Sequence, residues 1–343
     1  MVRVAFLLVC GFILGAIVME NKQYFFNTVA TPVAFLPDGG EYEGELLKGE
    51  LHSKGRIVWP NGNNYEGEFK YGLFHGYGRY ETRERIYEGD FLEGVAQGKG
   101  RMTFADGRVY EGDIVAGKAN GQGLMQLNDG EYIGGFKDDL FHGEGKLVSS
   151  QGDIYEGFFS QGQFQGQGLF TSAGGDIYRG EFVEGAFTGK GDYRNDEDSY
   201  RGEFKNWLFD GVGDYKNSSA TYSGEFLQGQ FHGMGTYQSN NIIYKGQFKD
   251  GLYHGEGVLE HNAERYEGNF EYGMKHGEGT LTYAKPLDGL QQIKGRWRYD
   301  ELVDSNHPVA EHDARVVNEA VLYSQNQRLQ SSLDAIQVNE RPA

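Results

Sequence analysis

The chain has 343 residues, with 54 Gly but only 6 Pro, 23 Tyr and 23 Phe, and a formal charge of −18 at pH 7. So many rings exclude a disordered polymer, because they bury enough surface to offset chain entropy, and scarce Pro excludes collagen. A long acidic surface repels nucleic-acid phosphates and disfavours anionic lipid headgroups, so no nucleic-acid partner is expected.

Residues 1–23 come first. Val4 to Met19 are uncharged and mostly apolar, and they contain Cys10, the single cysteine, so no internal disulfide is possible. A helix of that length is ~24 Å long, slightly short of a ~30 Å hydrocarbon core. Three readings stay open: a transmembrane signal-anchor, a cleaved signal peptide and a buried helix. The anchor is favoured, because Ile17-Val18-Met19-Glu20 is a poor cleavage site and Tyr24, Phe25 and Phe26 suit a membrane-interface belt. The expected localisation is therefore a single-pass membrane protein. Arg3 and the α-amine against Lys22 place the remainder on the non-cytoplasmic side. Signal cleavage would instead give a secreted or periplasmic protein.

Residues 24–41 read as a linker and an opening half repeat, since Ala34-Phe35-Leu36-Pro37-Asp38-Gly39 mirrors Ile57-Val58-Trp59-Pro60-Asn61-Gly62. Over 42–292 one phrase then recurs eleven times: Tyr-x-Gly-x-Phe, a turn Gly, His-Gly-x-Gly and an apolar residue. The tyrosines are Tyr42, Tyr65, Tyr87, Tyr110, Tyr132, Tyr155, Tyr178, Tyr200, Tyr222, Tyr244 and Tyr266. Such a period means a stacked array, which offers a long surface rather than an enclosed pocket. Tyr65-Glu66-Gly67-Glu68-Phe69 alternates with period two, as a strand does, and so does His75-Gly76-Tyr77-Gly78-Arg79-Tyr80. Each repeat is thus a β-hairpin. Parity puts Tyr, the central Gly and Phe on one face and the charged residues on the other. The central Gly, from Gly44 to Gly268, makes room for a ring from the neighbouring strand. With strands ~4.8 Å apart, a repeat advances ~10 Å and the array ~110 Å.

Tyr65 to Tyr80, Tyr222 to Tyr237, Tyr244 to Leu259 and Tyr266 to Leu281 closely resemble the MORN repeat (membrane occupation and recognition nexus). The resemblance covers about three quarters of the chain. It implies single-layer antiparallel hairpin sheets that act as scaffolds, dimerisers or membrane-associated adaptors, some credited with phosphoinositide binding. The chain departs from the pattern where Asp139 and Trp207 replace the turn Gly, and in the acidic loop Asn195-Asp196-Glu197-Asp198. Residues 293–307 look like a degenerate half repeat around Ile293-Lys294-Gly295-Arg296-Trp297. Atypical ends suit caps.

Residues 308–343 hold a predicted helix over 309–337 and a tail. Leu322, Leu329, Leu333 and Ile336 form a short apolar stripe for packing on the last repeats, or for self-association or docking a partner, with a disordered segment as the third reading.

The chemistry looks structural. His52, His75, His142, His232, His254 and His276 share one repeat position. At ~10 Å spacing they cannot share a zinc with ~2.1 Å bonds, so they are read as turn caps. Gln97, Asn120, Gln165, Thr188 and Asp210 occupy the same slot, which fits hydrogen bonding. The Asp-Gly turns lack recurrent calcium-ligand spacing, and Gly-x-Gly opens no helix. No catalytic residue, metal or cofactor is assigned.

The fold expected is all-β: an elongated single-layer antiparallel hairpin array with an N-terminal transmembrane helix and a C-terminal helix. The function expected is a non-catalytic, membrane-anchored scaffold that binds proteins or a second copy through its aromatic face. The face residues are Tyr65, Phe69, Tyr87, Phe91, Tyr155, Phe159, Tyr222, Phe226, Tyr244, Phe248, Tyr266 and Phe270, which nothing in the repeat covers, leaving an exposed groove or an interface. A phospholipid-headgroup module is the alternative.

Overall fold

The computed structural model describes residues 33–287 and 290–304. Across them, 25 strands form one antiparallel sheet in which each strand pairs with its sequence neighbours, from Val33–Phe35 against Glu41–Leu47 to Leu290–Arg298 against Glu301–Asp304. None of the described residues forms a helix long and apolar enough to cross a membrane. The expected transmembrane run and C-terminal helix lie outside the described residues.

The second repeat shows how local chemistry builds the unit. Asn64–Lys70 turns at Tyr71-Gly72 into Leu73–Glu81. Tyr71 and Gly72 both have positive φ, 52° and 78°. That is a type I′ turn, whose twist matches that of the flanking strands and which favours Gly at its second position. The turn Gly also ties one repeat to the previous one. The Gly72 N–H donates to the Leu51 carbonyl at 3.0 Å and Gly94 to Phe74 at 2.9 Å, and the pattern runs on to Asp300 and Lys275 at 3.0 Å.

The alternation expected along the second strand is broken once. Gly67 pairs with Gly78 and Glu68 with His75, so Gly76 and Tyr77 bulge out of the hairpin ladder. The first Gly of Gly-x-Gly therefore has φ +56° at Gly76. Ser53, the one substitution at this position, holds φ 54°.

Beyond the bulge the register is regular. The central Gly pairs with the second Gly of its own hairpin and with that of the preceding one, as Gly67 does with Gly78 and Gly55. Repeated through the sheet, this places glycines side by side in an unbroken row from Gly44 to Gly295. The tyrosines lie along one side of this row and form the core.

The chain's last described part is a further short hairpin rather than a lone strand. Its turn, Tyr299-Asp300, has φ values of 48° and 69°.

Candidate interaction surface

The aromatic face is built in two tiers. In the lower tier, each Tyr ring lies flat on the glycine row. A Cβ on Gly67 would come 2.5 Å from the Tyr65 hydroxyl, and one on Gly78 2.6 Å from Tyr65 Cε2. Any side chain at either position would occupy the ring's place, so the glycines are required by contact. The ring comes from the residue two before the central Gly on its own strand, not from the neighbouring strand as the sequence suggested. The Tyr65 hydroxyl reaches past the glycine and donates to the Glu68 carbonyl at 2.9 Å. The same bond recurs in Tyr87, Tyr110, Tyr132, Tyr155, Tyr200, Tyr222 and Tyr244. Burial pushes these phenols up, Tyr155 to about 12, which keeps them neutral donors.

The upper tier lies on these rings. Phe74 stacks on Tyr65 with centroids 3.8 Å apart and planes 11° apart. Phe141 on Tyr132, Phe164 on Tyr155, Phe209 on Tyr200, Phe231 on Tyr222 and Tyr253 on Tyr244 repeat the pair at 3.8 Å. The Phe of the motif closes the sides: Phe69 and Phe91 meet Tyr65 edge-on at 5.0 and 5.2 Å. Burying each ring contributes roughly 1.5–3 kcal/mol, with ~0.5–1.5 kcal/mol more from an edge or offset contact.

This corrects the exposed groove expected from sequence. Tyr65, Phe69, Tyr87, Phe91, Tyr155, Phe159, Tyr222, Phe226, Tyr244, Phe248, Tyr266 and Phe270 do share one face, but all are buried, the most accessible being Phe91 at 5%. They are the floor of the face. The surface above them belongs to half-buried residues that sequence reading overlooked, such as Phe74, Phe141, Phe164, Trp59, Tyr80 and Tyr237. The available signal was the ring immediately before His in Phe74-His75, Phe141-His142, Phe231-His232 and Tyr253-His254.

Of the slot expected to cap turns, four non-histidine members do so, one repeat further on, whereas the buried Nδ1 atoms of His232 and His276 have no hydrogen-bond partner. Asn120 Oδ1 accepts from the Asp138 N–H at 3.3 Å. Gln165, Thr188 and Asp210 accept from Glu184, Asn206 and Gln228, each at 3.2 Å. Every donor opens the next repeat's turn. His52 and His276 instead bring their rings to Tyr71 and Tyr299 of those turns, at 6.1 and 4.9 Å. Among the described residues, no group of His, Cys, Asp and Glu could hold a metal.

The opposite face carries an arrangement that runs across repeats. Glu43, Arg56, Glu66, Arg79, Glu88, Arg101 and Glu111 stand opposite one another on successive strands, with Arg101 and Glu111 2.9 Å apart. After Leu124 and Ile133 the ladder resumes at Lys146 and Glu156, 2.6 Å apart. It then inverts: Arg179, Asp192, Arg201 and Asp214 put the cation on the first strand and the acid on the second. From Ser223 the row continues as Thr236, Lys245 and Val258, and the alternation ends. There the glycine row floors a shallow furrow walled by Met234, Thr236, Lys245, Glu256, Val258 and Glu267.

The family model of the MORN repeat matches residues 42–64, 65–82, 87–107, 110–131, 132–154, 155–177, 178–196, 222–241, 244–261 and 266–285, together more than half of the chain. The stretch it passes over holds the eighth hairpin, Asp198–Lys205 and Leu208–Asn217, whose turn contains Trp207. No curated protein matches the chain. Among solved structures, a point mutant of the TCP10 domain of Danio rerio CPAP is similar at 12% identity, covering 64% of this chain and 98% of that one, with a TM-score of 0.27. The wild-type TCP10 domain in complex with a peptide of Danio rerio STIL is 14% identical over 74% of this chain and 94% of that one, with a TM-score of 0.19.

Proposed function

Because the chain belongs to the MORN repeat family, a family of protein and lipid interaction modules, we propose that it is a non-catalytic scaffold that docks proteins along its aromatic face. The observation that carries this reading is the upper tier. Phe74, Phe141, Phe164, Trp59, Tyr80 and Tyr237 are only partly covered and lie along one face, whereas Phe209, Phe231 and Tyr253 in the slot of Phe74 are buried. Many side chains elsewhere in the motif already have structural tasks as caps, cross-strand ion pairs or ring contacts. In this proposal the apolar run Val4 to Met19 tethers the array to a membrane, with the array on the non-cytoplasmic side. Replacing Phe74, Phe141 and Phe164 by Ala together leaves the glycine–tyrosine tier in place. The expected outcome is a folded protein that loses its partners in proximity labelling of its native membrane. An unchanged set of labelled proteins would sink the reading.

A second reading, a phospholipid surface, is favoured by the hairpin-turn edge, where Leu47, Leu73, Leu92, Val115, Tyr71 and Tyr272 are exposed. Aliphatic and tyrosine side chains on one edge suit a headgroup boundary. Flotation of residues 33–304 with neutral and anionic vesicles separates the two readings: recruitment supports the lipid surface, and none leaves the protein scaffold.

A further inference from the structure

We infer that the furrow on the charged face of the last repeats is the docking site for the chain's own segment 309–337. This goes beyond the proposed function, which concerns the other face.

Four observations carry it. The first is where unpaired apolar side chains occur. The middle residue of Gly-x-Gly is Lys54, Lys99, Gln122, Glu144, Gln167 or Lys190 in most repeats before the eighth, but Val212 and Met234 in the eighth and ninth. These two are 61% and 56% exposed. They stand where the ion-pair ladder stops, in the part of the array nearer that segment, although Tyr77 and Phe158 are also exposed on this face earlier and the middle residue is Glu256 and Glu278 in the last two repeats.

The second is shape. Between Met234 and Thr236 on one strand, and Glu256 and Val258 on its counterpart one repeat on, the floor is glycine alone: Gly235, Gly246 and Gly257. That makes one hole per hairpin. Holes two strands apart are spaced ~10 Å.

The third is the matching period. Leu322, Leu329 and Ile336 are seven residues apart. On a helix, seven residues rise ~10.5 Å, so each apolar knob falls level with one hole.

The fourth is the exit and the reach. Asp304 lies opposite Arg296, and its carbonyl is beside Gly295, the last glycine of the row. The last described strand thus lies three strands beyond the Gly268 end of the furrow, on the same glycine row. A 29-residue helix is ~43 Å long and spans about four repeats. Running back along the array, it brings Leu322 level with Val258, Leu329 with Met234 and Ile336 with Val212.

The test is disulfide trapping in the full-length, detergent-solubilised chain with Cys10→Ser, carrying Met234→Cys and Leu329→Cys. With oxidised glutathione as oxidant, the two thiols lose two protons and two electrons, and the glutathione disulfide leaves as two reduced molecules. The expected product is an intrachain disulfide. A control with Tyr77→Cys in place of Met234→Cys puts the thiol at the same repeat position but far beyond the segment's reach, and should give none. Adding Leu322→Asp and Ile336→Asp to the trapping pair should slow its closure at least tenfold. Bonds only between chains, no bond at all, or an unchanged rate with the two aspartates would each overturn the inference.

Discussion

The second and seventh repeats share the Tyr-x-Gly-x-Phe and Gly-x-Gly of the motif but pack differently. In the second, Tyr65 lies on Gly67 and Gly78, bonds the Glu68 carbonyl and carries Phe74 stacked on top. In the seventh, Phe187 takes the glycine seat. A Cβ on Gly180 would come 3.1 Å from Phe187 Cε2, and one on Gly191 3.0 Å from its Cε1. Tyr178 is displaced, meets Phe187 at 73° rather than stacking, and its buried hydroxyl finds no hydrogen-bond partner. The difference originates one repeat later. Trp207 stands at the turn position that Gly occupies in most repeats, holds φ 69° and folds its indole into the core. It meets Tyr178, Phe170 and Phe182 at 5.2, 5.4 and 5.7 Å. Asp139, at the same turn position in the fifth repeat, stays local, and its carboxylate accepts the Ala119 N–H at 2.7 Å. A repeat's packing is therefore set partly by the next repeat's turn.

The largest expected effect comes from filling the ordinary seat. Gly78→Ala drives a methyl into Tyr65, which is trapped between sheet and Phe74, so the cost should reach about 3 kcal/mol, the upper part of the overpacking range. Urea unfolding followed by circular dichroism measures it, and a loss below about 1 kcal/mol would mean the ring can leave its seat.

Next is Trp207→Gly. Lost indole burial costs about 3–5 kcal/mol and relieved backbone strain returns about 1–2, leaving a net loss near 2 kcal/mol. With the indole gone, Tyr178 should settle on Gly180 and Gly191, and a crystal structure of the variant would show its hydroxyl on the Glu181 carbonyl. If Tyr178 stays displaced, Trp207 is not the cause.

A smaller pair of changes tests the same difference. Tyr65→Phe removes a hydrogen bond and leaves a carbonyl without its donor, costing about 1 kcal/mol. Tyr178→Phe removes a buried hydroxyl that has no partner and should be neutral or stabilising. Equal losses in thermal melts of the two variants would contradict the contrast.

The smallest effect is expected on the charged face. Arg101→Glu sets like charges between Glu88 and Glu111, yet these side chains are solvated, so the loss should stay near 1 kcal/mol or below and shrink as salt is added.

Much of this was legible in the sequence because the information is local and repeated. Tyr65-x-Gly67-x-Phe69 declares a strand by its parity, Gly72 a turn, and eleven copies an array. The half repeat around Ile293 was legible only in part, because Glu301–Asp304 pairs through a turn with no Gly. The slot shared by His75 and Asn120 suggested hydrogen bonding, which Asn120 makes to a donor in the next hairpin, but not that His52 and His276 would bring their rings to the turn aromatics instead.

What the sequence by itself determined is therefore what one repeat can hold: hairpin geometry, the face each side chain takes and the glycines that must stay bare. The tertiary structure alone decided what needs two or three repeats at once. Covering of the aromatic face by Phe74 and Phe91 around Tyr65, the ladder from Glu43 to Glu111 and the displacement of Tyr178 by Trp207 all join residues on different strands. The physical reason is that sheet contacts run perpendicular to the chain, so side chains ~5 Å apart across strands can lie more than twenty positions apart in the sequence.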